Sequence, residues 1–248
     1  MKYLFLLLLL PLTCVQAQRV VIKEIKFRAN TRLYTIKDST IIYPIVTTKN
    51  VSVNKLINDK IKEKIFEPES NKTSIKKAVE EQTSNGMTDL SYEVTYNKKG
   101  ILSLHTDGEG CYAYCSTWST YFNFDVNTGK EITIKDIIDE DKIDSFIKMV
   151  FSKKVSILAT YKEEEKTALE KNEIDTATYN WILEQVETNC INTIDVEQFI
   201  LSDTGISIMN PCEFPHVIRA IEPTFDLIYT YTSIATFLKP VFKKHLVK

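Results

Sequence analysis

The chain has 248 residues, with 31 Lys plus Arg, 33 Asp plus Glu and 44% apolar side chains. Its 6 Gly and 7 Pro exclude a collagen-like or low-complexity chain, and the ample apolar content excludes wholesale disorder. The near-neutral balance argues against a strongly nucleic-acid-binding domain, which needs a basic excess or a concentrated basic face.

The start reads as an export signal. Met1-Lys2 precedes an apolar run from Leu4 to Leu10, then Pro11, and Val15-Gln16-Ala17 sets up cleavage before Gln18. The run is too short to span a bilayer, and no later stretch is apolar enough to do so. Lipidation at Cys14 is the rival reading, but Pro11 and Thr13 fit a lipoprotein signal poorly. The expected product, residues 18–248, is exported to the periplasm or beyond, without a transmembrane anchor. It keeps 30 basic against 33 acidic side chains and four cysteines: Cys111, Cys115, Cys190 and Cys212. An even number in an exported chain predicts two disulfides. Cys111–Cys115 with Cys190–Cys212 is favoured, since each closes a local loop; cross pairing of the central loop to the C-terminal segment is the alternative. No metal is expected on these thiols, because C-x-x-C pairs and His partners at ligand spacing are missing.

Hydrophobic periodicity then gives the elements. Residues 20–27 predict a bulged strand, and 32–36 and 40–46 two more. Ser52 caps a helix carrying Val53, Leu56, Ile57, Ile61, Ile65 and Phe66 at helical spacing. A second helix is expected over 73–82. Residues 89–96 and 101–105 predict a hairpin around Asn97-Lys98-Lys99-Gly100. Residues 117–124 predict an aromatic-rich strand, turning at 125–130 into a strand over 131–135. Helices are expected over 141–159, 162–173 and 176–188. A hairpin over 197–202 and 206–209, a strand over 224–231 and a terminal helix from Ser233 complete the chain. Strands and helices fall in separate runs, so the expected fold is α+β, a mostly antiparallel sheet with helices packed on one side. Two subdomains are expected, 18–88 and 89–248, after the signal peptide 1–17.

Several chemical motifs fail on inspection. Gly129-Lys130 lacks the upstream Gly and the following Ser or Thr of a phosphate loop. Asp125-x-Asn127-x-Gly129 has oxygen ligands at alternate positions, but Lys130 stands where a calcium loop needs Gly. Asp203-Thr204-Gly205 occurs once, whereas aspartic proteases need two such carboxylates. His105, His216 and His245 sit beside no recognisable nucleophile, and read as structural or surface residues. No cofactor is expected.

The segment Asp107-Gly108-Glu109-Gly110-Cys111-Tyr112-Ala113-Tyr114-Cys115-Ser116-Thr117-Trp118 stands apart. Its glycines give backbone freedom, a disulfide can fix it, and rigid aromatics suit recognition. Asp107, Glu109, Tyr112, Tyr114 and Trp118 are therefore the candidate binding residues of a loop. The bland alternative is that Tyr114 and Trp118 fill the core.

Tyr43-Pro44-Ile45-Val46 and the following Asn54-Lys55-Leu56-Ile57-Asn58 helix resemble a small module of exported bacterial proteins. Tyr121 to Ile138, with Phe124-Asp125-Val126-Asn127-Thr128-Gly129-Lys130 at its centre, resembles the partner module. So do Phe199 to Ile208 and Ala220 to Phe237. Together they resemble the paired uncharacterised domains of lysozyme-sensing anti-sigma factors and of some peptidoglycan deacetylases, over most of residues 38–240. The family's Gly-Gly-x-His type loop is replaced here by Gly108-Glu109-Gly110-Cys111, and neither a sigma-factor-binding tail nor a deacetylase domain is seen. The resemblance implies an extracytoplasmic sensor or binding module of the cell envelope. The expected partner is a protein, lysozyme among the candidates, and the protein is expected not to be an enzyme. A peptidoglycan-binding module is the second reading, and a cell-wall hydrolase using Asp107 and Glu109 the third.

Overall fold

The computed structural model describes residues 19–28, 40–66, 72–111, 113–191, 194–225 and 227–246. The expected signal peptide, the expected strand over 32–36 and Tyr112 lie outside the described residues.

A five-stranded sheet has the order β1 (Val21–Arg28), β2 (Thr40–Thr47), β3 (Met87–Lys98), β4 (Ile101–Cys111), β5 (Cys115–Asp125). Its neighbours are antiparallel except β2 with β3, which run parallel. Between these two strands lie α1 (Val51–Phe66) and α2 (Ile75–Ser84), as a parallel crossover requires. Val53, Ile57 and Ile61 of α1 pack with Tyr43, Leu90, Leu104 and Phe122 in one core beneath the sheet. The β3–β4 turn places both Lys99 and Gly100 at positive φ, the backbone of a type I′ hairpin. That turn lengthens the expected hairpin to the full span of both strands.

The rest of the chain forms α3 (Ile134–Ile137), α4 (Ile143–Glu170), α5 (Thr176–Gln185), β6 (Phe199–Leu201), β7 (Gly205–Ile208), β8 (Leu227–Thr230) and α6 (Pro240–Leu246). The last three strands make an antiparallel sheet in chain order. Phe146 and Val150 of α4 pack with Phe199, Ile206 and Tyr229 in a second core, joined by Tyr96 and Ile101 from the large sheet. Two buried polar groups on the large sheet fix the join: Asn123 Nδ2 donates to Phe199 O at 2.7 Å, and the Leu201 N–H donates to Ser103 Oγ at 2.9 Å. A third apolar cluster gathers Leu158, Ile182 and Phe214 around the Cys190–Cys212 disulfide. Both local disulfides form, Cys111–Cys115 and Cys190–Cys212. No helix of the described residues is long and apolar enough to cross a membrane.

The large sheet runs across residue 88, taking two strands from before it and three that reach beyond it. Three element assignments change. Residues 131–135 make a single bridge, Glu131 to Phe124, rather than a strand. Asp136 then accepts the Thr133 N–H at 2.8 Å and starts a helical turn instead. The two helices expected over 141–173 are one, α4, since no Gly or Pro interrupts it. Residues 231–237 turn rather than coil, and the terminal helix begins only at Pro240, a favoured first helical position.

Candidate functional site

The 107–118 segment is not a loop. It is the closed end of the β4–β5 hairpin, in continuous register from Ile101↔Asp125 to Cys111↔Cys115, and the disulfide ties the last pair. Successive strand residues point to opposite faces, so the candidate residues separate. Trp118 faces the α1 side, packed against the first core. Its ring lies over Gly108 and Gly110, where a Cβ would sit 2.5 Å and 3.1 Å from indole carbons. The glycines are thus needed for close approach of a ring, not for a loop's freedom. Asp107 and Glu109 are on the other face. Tyr114 sits at the hairpin tip, 58% exposed.

That other face is open beyond the small sheet, and three strands build a regular patch on it. The cross-strand rows are Asp89, Glu109 and Thr117; Ser91, Asp107 and Ser119; and Glu93, His105 and Tyr121. Ser119 Oγ donates to Asp107 Oδ1 at 2.6 Å, and His105 Nε2 lies 3.1 Å from Asp107 Oδ2. Glu93 Oε2 stands 4.0 Å from the same nitrogen, with its side chain 72% exposed. Thr88 Oγ1 donates to Glu109 Oε2 at 3.2 Å. Partial burial and the neighbouring Glu109 carboxylate both push the Asp89 carboxyl above its ordinary range. Burial raises the Tyr121 phenol too; the Ser119 contact opposes that shift and the Asp107 charge adds to it. The patch therefore sets four carboxylates against one imidazole.

Sequence inspection named two of these carboxylates but missed Asp89, Glu93, Ser119 and Tyr121, and read His105 as a structural or surface residue. The signal was present: a tight hairpin centred at residue 113 pairs 107 with 119 and 105 with 121.

Chemically, the patch puts the carboxylate between serine and histidine. Nucleophilic serine chemistry needs the imidazole on the hydroxyl, so this order leaves Ser119 unactivated. The Nδ1 of His105 is buried and finds no hydrogen-bond partner among the described residues. Glu109, Cys111 and Cys115 gather within metal-ligand reach of one another, but the disulfide consumes both thiols and leaves one ligand. A cleft of about 420 Å³ lies elsewhere, between the β3–β4 turn, the turn after β5 and α6. Lys99, Ile101, Asp125, Lys130 and Phe242 line it; Asp107 and Glu109 do not. The two motif-like turns have plain roles. Asp125 Oδ1 accepts the Asn127 N–H at 2.8 Å, and Asp203-Thr204 turns β6 into β7.

No protein-family model matches the chain, and no curated protein matches it. Among solved structures, it is similar to a member of the DUF3298 family from Bacteroides fragilis, 14% identical, with a TM-score of 0.61 over 92% of this chain and 98% of that one. It is also similar to a DUF3298 family protein from Pseudomonas aeruginosa, 13% identical, with a TM-score of 0.51 over 90% of this chain and 96% of that one. At such identities the likeness shows a shared α+β fold.

Proposed function

We propose that the protein is an exported, non-enzymatic binding module of the bacterial cell envelope whose acidic sheet face receives a basic protein, lysozyme being the first candidate. The observation that carries this reading is the patch of Asp89, Glu93, Asp107 and Glu109 on one open face of β3 and β4, where His105 is the only basic residue that the β3–β5 pairing brings among them; Lys26 and Arg28 stand two strands away on β1, at the far ends of the same rows. Such a field attracts a cationic partner and speeds its docking. The two disulfides fit an oxidising compartment. The glycan reading draws less support, because Trp118 faces the core side and, among the described residues, Tyr114 alone offers an exposed ring at the hairpin tip. The hydrolase reading needs Asp107 and Glu109 in a cleft, and they lie on an open strand.

Equilibrium binding of oxidised 18–248 to lysozyme, with peptidoglycan fragments alongside, tests the proposal. Saturable binding with a Kd of about 1 μM or tighter is expected. Glu93→Gln, Asp107→Asn and Glu109→Gln combined should weaken it at least tenfold. Binding to glycan alone, or lysozyme binding indifferent to the triple substitution, overturns the reading.

A further inference from the structure

Among the described residues, the edge of the large sheet at β5 is uncovered from Thr117 to Tyr121. The Asn123 C=O accepts the Ile132 N–H at 2.7 Å and the Asp125 N–H donates to Lys130 O at 3.0 Å. Those groups therefore point away from β4. The β4–β5 register is unbroken, so alternation turns the N–H and C=O of Thr117, Ser119 and Tyr121 the same way. These six groups find no hydrogen-bond partner among the described residues. Exposed edges are ordinarily blunted by charge, proline or a bulge. The opposite edge, β1, follows that rule with Lys23, Glu24, Lys26 and Arg28. From Cys115 to Asn123, β5 has no charged side chain, no proline and no register shift.

We infer that β5 is a strand-addition site for an extended cationic segment of a protein partner, which joins the sheet as a sixth strand. This rests on the acidic-face reading above and states how that face is engaged. The backbone of Thr117, Ser119 and Tyr121 supplies the hydrogen bonds, and alternate side chains of the incoming strand fall on the acidic face. The row nearest Asp107 and Glu109 on β5 is Ser119 and Thr117, both small. The β4 strand lies roughly 10 Å from the added one at ordinary strand spacing. A lysine or arginine stem crosses that gap above small residues and reaches the carboxylates. The disulfide at the hairpin end holds the edge extended beforehand, which lowers the ordering cost.

The probe is a synthetic eight-residue peptide alternating lysine and valine, added to 15N-labelled oxidised protein. Amide hydrogen exchange at Thr117, Ser119 and Tyr121 should slow on addition. N-methylating the peptide amides that face β5 should weaken binding at least tenfold, as should Thr117→Pro, which removes an outward N–H without changing charge. Proline is tolerated where an edge N–H faces solvent; should that variant fail to fold, the N-methylated peptide decides alone. Peptide binding without protection of these amides, or insensitive to N-methylation, overturns the inference. So does concentration-dependent protection without peptide, which would mark a second copy of the chain as the occupant. Lysozyme binding that survives Thr117→Pro but falls with the triple carboxylate substitution overturns strand addition and leaves the acidic-face reading standing. Peptide addition at the edge with no binding of any basic protein overturns only the latter.

Discussion

The indole of Trp118 covers Gly108 so closely that a Cβ there would sit 2.5 Å from ring carbons. This contact couples the two faces of the hairpin: the ring beneath it sets the strand that carries Asp107 and Glu109 above. Gly108→Val is expected to destabilise the protein by about 1–3 kcal/mol, the usual cost of overpacking. Thermal melts measure it. Trp118→Ala in the same background should recover part of the loss, because it removes the atoms that clash. A Gly108→Val variant as stable as the parent would show that the ring does not hold this position.

The two disulfides should differ in worth. Cys190–Cys212 spans 22 residues and Cys111–Cys115 spans 4. Chain-entropy arithmetic gives about 3 kcal/mol for the first and about 2 kcal/mol for the second. Both sulfur-bearing residues of the first pair are fully buried, whereas Cys115 is exposed. Mild reductant should therefore open Cys111–Cys115 first with a small drop in melting temperature, and Cys190–Cys212 later with a larger one. Mass mapping of alkylated thiols during reduction gives the order, and the reverse order would contradict the burial argument.

Stability should rise as pH climbs from about 8 to about 10. Lys154 is fully buried, donates to Asn210 Oδ1 and lies 5.2 Å from the Phe225 ring centroid. Burial pushes its ammonium down to about 8 from 10.5. Between those values the unfolded chain binds the extra proton, so stability grows with pH and is lost as pH falls through about 8. Buried phenols act in the opposite sense at higher pH. Burial raises Tyr43 and Tyr231, and pushes Tyr229 up to about 12. Above pH 10 these ionise first in the unfolded chain, and stability falls. Urea melts across pH 7–12 should show a maximum near pH 9–10, and Lys154→Met should flatten the rising limb.

Binding through the acidic face should be salt-dependent. Raising ionic strength from about 0.01 M to 0.15 M shortens the Debye length from about 30 Å to about 8 Å. Association with a basic protein should slow at least tenfold over that range, with dissociation changing less. Stopped-flow or surface-based kinetics at several salt concentrations separate the two rates. A salt-independent association rate would point to apolar contacts, with Tyr114 the first residue to replace.

Much of the fold was legible in the chain. The Lys99-Gly100 turn, the alternation through β4 and β5 and the helical spacing from Val53 to Phe66 are local signals, set by backbone sterics and by which side chains avoid water. The two disulfides were favoured on loop length alone. The misread elements were those where another signal overrode periodicity. Thr133 with Asp136 outweighed the β pattern after Lys130, and the absence of any breaker let α4 run through a charged stretch.

The candidate site was half legible. Asp107, Glu109 and Trp118 drew notice by their neighbours in sequence, yet alternation sends Trp118 to one face and the carboxylates to the other. Composition, periodicity and cysteine count determined the fold class and the two local disulfides, because each depends on residues within one or two elements. Only tertiary structure decided which residues share a face. Asp89 and Glu93 reach Glu109 and His105 through strand pairing, and the small sheet covers one end of that face while leaving the other in water. Cross-strand register and inter-sheet docking are set by packing between distant segments, which no local pattern encodes.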